Sequence, residues 1–270
     1  MRLPIPIWAP GGTIYTEAEL RKPTPNVIAD TADALEKGLY RGVTAFLAGC
    51  VSSFSGSSGS TVSAEQVRDL VRSLPYQSTE ALAIYALLEG DSDDGIEGVY
   101  DCPRCGRGRV VCEYISAEED ARDHVRDLPV ACMADEDLAR TVTLSLSEPY
   151  HLQRGKEGPT EVRSLVLRWP TLRDCISAEA QSPGSALRQQ MVIYELAVET
   201  IGEETYTPGV LSTYAHAVVG GMSRADMRKL GDIMSRYGIR NTVKKTCPKC
   251  GKVWDATVAT SNFFASALAS

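Results

Sequence analysis

Four cysteines of this chain fall in two like turns, Cys102-Pro103-Arg104-Cys105-Gly106 and Cys247-Pro248-Lys249-Cys250-Gly251. Two thiolates three positions apart on a tight turn can take two corners of a tetrahedral zinc ion. The proline after the first cysteine shapes the turn, and the glycine after the second lets the backbone come close. Each pair needs two more ligands. The repetition points to one shared ion held by Cys102, Cys105, Cys247 and Cys250, a closed structural zinc site that would staple two segments together. One rival is local completion of the first pair by Cys112, His124 or Cys132, which leaves the second pair short; free thiols and disulfides are the others. Basic residues crowd both turns, Arg104, Arg107 and Arg109 in one and Lys244, Lys245, Lys249 and Lys252 in the other. They would offset the charge of about minus two that a four-thiolate zinc centre carries.

The sequence ahead of each turn repeats as well. Leu20-Arg21-Lys22-Pro23-Thr24 matches Leu167-Arg168-Trp169-Pro170-Thr171, and from the proline to the first cysteine there are 79 positions in one copy and 77 in the other. Such near-equality marks a duplicated unit. The first unit is expected over residues 1–115, a charged connector over 116–140, and the second unit over 141–270.

In the first unit, alternating Leu3, Ile5 and Ile7, a Gly11-Gly12 turn and a run from Ile14 to Leu20 predict a hairpin. Pro4 and Pro6 cannot donate to a ladder, so the first strand belongs at an edge. Thr24-Pro25 opens a helix. Its stripe of Ile28, Leu35, Leu39, Val43, Phe46 and Cys50 carries it to about residue 51, with Gly38 or Gly42 as break points. Ser52 to Ser60 reads as a Ser/Gly loop without a phosphate-binding motif. A capping box at Ser63-Ala64-Glu65-Gln66 opens a helix that Pro75 closes, and a third begins near Ser78. The second unit repeats the plan. A hairpin runs over Thr141 to Leu146 and Val162 to Trp169, and Thr171 to Asp174 forms a capping box. A long helix takes in Leu187, Met191, Tyr194, Val198 and Ile201, and two more helices open at Thr207-Pro208 and Ser223 to Asp226. The fold class expected is α+β: two pseudo-repeated units, each a small antiparallel sheet with three helices, ending in a C-P-x-C-G zinc knuckle.

At 270 residues the chain has room for two domains. Its 28 basic against 35 acidic residues give a net charge of -7, which disfavours general binding to a phosphate backbone. Prolines in the opening eight residues argue against a signal peptide, and no apolar run approaches the ~20 residues of a membrane span. A protein made in a cytoplasm is expected, in which eight cysteines do not imply a disulfide framework. Cys50 and Cys175 lie on apolar helical faces and read as small hydrophobes. Catalysis finds little support. His124, His151 and His216 belong to no H-E-x-x-H, neither G-x-S-x-G nor G-x-G-x-x-G occurs, and His216 reads as a hydrogen-bonded core residue. Asp93-Asp94 and Glu118-Glu119 fall in charged turns, where solvation explains them.

The stretch Leu144 to Pro149, followed by Val162 to Asp174 with its L-R-x-P-T-x-x-D, resembles the opening of small tail-assembly proteins of long-tailed bacteriophages. With the C-terminal C-P-K-C-G and the closing Val258 to Phe264, the chain is also similar to baseplate-hub and hub-assembly proteins of T-even-type contractile tails. The likeness covers residues 141–264 best and residues 3–114 more loosely; the doubling departs from single-unit relatives. The resemblance implies a non-enzymatic tail component, made in the host cytoplasm and located in the virion baseplate. Its partners would be other tail proteins, with no small-molecule substrate, nucleic acid or membrane. A transient assembly chaperone and a zinc-ribbon nucleic-acid regulator are the alternatives.

Overall fold

A hairpin stands early in each half of the computed structural model, which describes residues 1–56, 62, 64–89, 97–105, 109–113, 130–153, 158–204, 206–239, 242–247 and 249–257. In the first, β1 (Arg2–Trp8) pairs antiparallel with β2 (Ile14–Leu20), and β1 takes the sheet edge that its prolines require. Thr24 then caps α1 (Pro25–Leu35), its side chain accepting from Val27 N. The long helix expected from here to Cys50 breaks at Gly38, the first of its two anticipated break points, where φ is +141°, a conformation L side chains avoid. α2 (Leu39–Cys50) starts there without a cap of its own; Glu179, far along the chain, accepts from Leu39 N at 2.8 Å.

The expected Ser/Gly loop is corrected next. Val51–Gly56 forms β3, which pairs antiparallel with β2 and completes a three-stranded sheet in the order β1-β2-β3. Val51 and Phe54 are buried, while Ser52 Oγ donates to Glu19 O at 3.1 Å and Ser53 Oγ to Glu19 Oε2 at 3.0 Å. Its polar composition marks a strand with one solvated face. Residues 57–61 and Ser63, where the predicted capping box opens, lie outside the described residues. α3 (Ala64–Arg72) and α4 (Tyr76–Glu89) follow, and then a two-stranded ribbon of β4 (Glu97–Asp101) and β5 (Arg109–Glu113).

The second half opens with β6 (Val130–Ala131), then β7 (Thr141–Gln153) and β8 (Pro159–Arg168) as the predicted hairpin. The predicted capping box is present, Thr171 and Asp174 closing the first turn of α5 (Leu172–Gln181). A second correction comes at the long helix through Val198 and Ile201. α6 (Ala186–Ala197) stops before Val198, and Val198–Ile201 becomes β9, paired with Leu165 and Leu167 of β8 in the order β7-β8-β9. Three of its four residues are β-branched, and burying Val198 and Ile201 against the sheet outweighs extending the helix. α7 (Pro208–Gly220), α8 (Arg224–Met234), β10 (Gly238–Ile239) and a second ribbon of β11 (Thr242–Thr246) and β12 (Val253–Thr257) complete the described chain.

The architecture is mixed α+β with small antiparallel sheets. Each half carries in order a hairpin, two helices, a third strand, two helices and a ribbon, the second half adding β6 and β10, so among the described residues each has four α-helices rather than the three expected. Corresponding pairs keep register: Leu20 faces Val51 and Leu167 faces Val198, each residue 147 positions from its counterpart.

The halves bury one core each, yet they interlock. Phe46, Leu47, Phe54, Val71 and Leu82 centre the first; Leu144, Leu165, Trp169, Tyr194 and Val218 centre the second. Leu172 of α5 joins the first core and Ile5 of β1 the second, although Leu3 and Ile7 on either side of Ile5 pack into the first. The β1–β2 ladder shifts register between Arg2 and Ile7, the irregular stretch that contains Ile5. Along its outer edge, Ile5 N donates to Ser78 Oγ at 2.9 Å and Ser78 Oγ donates to Ile5 O at 2.6 Å, so α4 stands in for a neighbouring strand. Tyr76 N donates to Pro170 O and Leu172 N to Leu74 O, both at 2.9 Å, tying the turn before α4 to the turn before α5. Residues 130–140, expected within a solvated connector, supply β6, which pairs with β10, and a buried Met133 whose N–H donates to Pro4 O at 2.8 Å. Residues 114–129 lie outside the described residues.

Candidate metal centre

Each ribbon delivers its first cysteine directly after its first strand: Cys102 follows Asp101, the last residue of β4, and Cys247 follows Thr246, the last of β11. α4 leads the chain toward the first ribbon, and it also packs on β10, from which the second ribbon departs. Gln77 Nε2 of α4 donates to Met234 O at the end of α8, and the buried Gly238 of β10 lies against the Gln77 side chain. α4 is thus tied to the segment from which the second ribbon departs.

At their tips the cysteines of the two ribbons face each other. Cys102 Sγ lies 3.7 Å from Cys250 Sγ, and Cys105 Sγ lies 3.9 Å from Cys247 Sγ. All four sulfurs fall within 4.8 Å of one another. Four sulfurs at about 2.3 Å from a central ion stand roughly 3.8 Å apart at the corners of a tetrahedron, so the cluster has the size of a four-thiolate metal site. The contacts are far too long for S–S bonds, and all four cysteines are free. Cys102 and Cys247, the first of each turn, are buried; Cys105 and Cys250, the second of each, are half-exposed. The four cysteines that the spacing marked therefore lie close enough together to hold one metal ion, and their donor set suits zinc.

The electrostatics of the knuckle favour an ionised sulfur at Cys247. The backbone N–H groups of Cys250 and Lys249 hydrogen-bond it and, against the effect of burial, bring its thiol down to about 7. Gly251 at φ +66° lets the turn close, with Gly251 N donating to Cys247 O and Cys247 N to Lys252 O, both at 2.9 Å. Cys105 goes the other way. Hydrogen bonding to Cys250, burial and contact with the other sulfurs push its thiol up to about 12. Four thiols this close resist ionising together unless a cation sits among them.

No family model, no curated protein and no solved structure matches this chain. Its function must therefore be read from its own residues.

Of the other candidates, Cys132 stands outside the sulfur cluster, and burial raises its thiol pKa. Cys112 lies on β5 opposite Gly98; His124 is outside the described residues, as are Asp93-Asp94, Glu118-Glu119 and the terminal Phe263 and Phe264. Cys50 and Cys175 are fully buried, as the helical stripes required, and burial pushes the Cys50 thiol up to about 11. His216 is corrected: its side chain is exposed, not in the core, and Nδ1 lies 3.0 Å from Glu195 Oε1. The sequence reading missed the backbone donors aimed at Cys247. Their signal was the C-P-x-C-G turn itself, since a proline and a glycine at those positions shape a backbone as well as space two sulfurs.

Proposed function

We propose that this chain is a metal-stapled, non-enzymatic assembly protein. In this reading two sister units, fused by duplication, are clasped by one structural zinc ion on Cys102, Cys105, Cys247 and Cys250, and the protein binds other tail proteins at a phage baseplate hub. The observation that carries it is the convergence of four sulfurs, two from each ribbon, into one cluster of tetrahedral size. A shell of four thiolates keeps no position open for a substrate, and its use is to hold polypeptide together. The duplication is supported by the common element order, by the 147-residue register from Leu20 to Leu167 and from Val51 to Val198, and by knuckles at the same place in both halves. The tail setting is supported by the resemblance of residues 144–174 and of the terminal knuckle to hub and tail-assembly proteins.

Quantitative mass spectrometry of purified phage particles, set beside the lysate they came from, tests this setting. A fixed, small copy number per particle is expected. Presence in the lysate alone points to an assembly chaperone, and salt-sensitive retention on DNA without any particle association contradicts the reading.

A further inference from the structure

A groove of about 720 Å³ runs between the first-half helices and α5, well apart in sequence from the four cysteines. Six cations line it: Arg21 after β2, Lys37 between α1 and α2, Arg41 of α2, Arg68 and Arg72 of α3, and Arg173 of α5. All six are exposed, and among the described residues that line the groove the one acid is Asp30. That concentration stands on a chain of net charge -7, so it is a local inversion of the protein's field. Five separate stretches of the chain contribute to it, and no run of basic residues in the sequence announces it.

The floor is apolar and small. Val27, Ala45 and Ile176 are half-buried there, beside the small residues Ala34, Ala48 and Gly49. Cations around an apolar floor fit a ligand with an apolar stripe and acidic flanks, the pattern of a helix laid in a groove. A nucleic-acid strand would find no aromatic platform for its bases, because none of the described lining residues is aromatic. The acidic remainder of the surface would also repel a long phosphate backbone beyond the groove.

We propose that this groove docks an acidic amphipathic segment of a partner protein. The proposal deepens the reading of the chain as a protein-binding component, and it does not depend on the metal. Carboxylates of the partner would engage Arg41, Arg68, Arg72 and Arg173, while its apolar side covers Val27, Ala45 and Ile176. The charges steer the encounter and fix its register, so binding weakens as salt rises.

Fluorescence anisotropy on the full-length chain tests it with three labelled probes. These are an acidic amphipathic peptide of alternating Glu and Leu turns, the same peptide with Lys for Glu, and a DNA oligonucleotide of equal charge to the first. The acidic peptide alone should bind, with affinity falling at least about tenfold in the variant R41E/R68E/R72E and recovering in R41K/R68K/R72K. All three positions are exposed, and circular dichroism with bound-metal content checks that each variant keeps its fold. Failure of the acidic peptide to bind, equal binding by the charge-reversed variant, or groove-dependent binding of DNA instead overturns the proposal. The metal assay separates the two readings: peptide binding by a metal-free chain overturns the staple and leaves the groove standing, and a metallated chain that ignores the peptide does the reverse.

Discussion

Arg21 and Arg168, 147 positions apart, each hold the carbonyl near the end of the second helix of their half. Arg21 Nε donates to Gly49 O at 2.7 Å and Arg168 Nη2 donates to Leu196 O at 2.8 Å, and Gly49 and Leu196 are themselves 147 apart. In both halves the end of the hairpin's second strand is thereby tied to the point where helix turns into third strand. The second half adds a counter-ion. Asp174 accepts from Arg168 Nη1 at 2.6 Å and Nη2 at 2.7 Å, and from Thr171 N and Oγ1 at 2.7 Å each. The equivalent position in the first half is Val27, so among the described residues Arg21 has no carboxylate in that place.

That difference predicts unequal mutants. Asp174→Ala removes a capping box and leaves a mostly buried guanidinium without its carboxylate, which should destabilise by about 3–5 kcal/mol. Arg21→Ala gives up one exposed hydrogen bond and should lose no more than about 1 kcal/mol. Denaturant midpoints of the two variants against the parent chain provide the check.

Ser78→Ala addresses the join between the cores. Ser78 Oγ serves both the N–H and the C=O of Ile5 in a buried setting. Leaving them unsatisfied should destabilise by about 1–3 kcal/mol, although the change deletes a single oxygen. Hydrogen exchange at the Ile5 amide should accelerate in step with the loss.

Asp226 gives the chain an acid limit. Burial favours its neutral form, but hydrogen bonds from Ser223 and from the Ser147 backbone, with Lys229 nearby, outweigh that and hold the carboxyl below the usual carboxylate range. A pKa lower in the folded state means stability that is fully present above the unfolded carboxyl range and lost as pH falls through the folded value. Denaturant midpoints should therefore drop below about pH 4, and Asp226→Asn should lower stability at neutral pH while flattening that acid slope.

Much of this was legible in the chain. Thr24, Thr171 and Ser223 each open the expected helix because their side chains meet local backbone donors, and Thr207 opens its helix with Pro208 at the first position and no side-chain cap. The four cysteines converged as their spacing suggested. What escaped were the third strands. Ser52, Ser53 and Ser55 look like a linker because only Val51 and Phe54 face inward, and Val198 to Ile201 continues an apolar helical stripe until its pairing with β8 takes over. The path of Ile5 into the far core, and the cap that Glu179 gives α2, depend on contacts between distant segments, which no periodicity records.

The most direct test of the account is the metal content of the purified full-length chain by inductively coupled plasma mass spectrometry, alongside titration of its free thiols before and after chelation. One zinc per chain is expected, with four thiols becoming reactive when the ion is removed and the ion absent from the double variant Cys102→Ser/Cys250→Ser. A metal-free protein with those four thiols already reactive, or two ions per chain with the ribbons loaded independently, contradicts the shared staple.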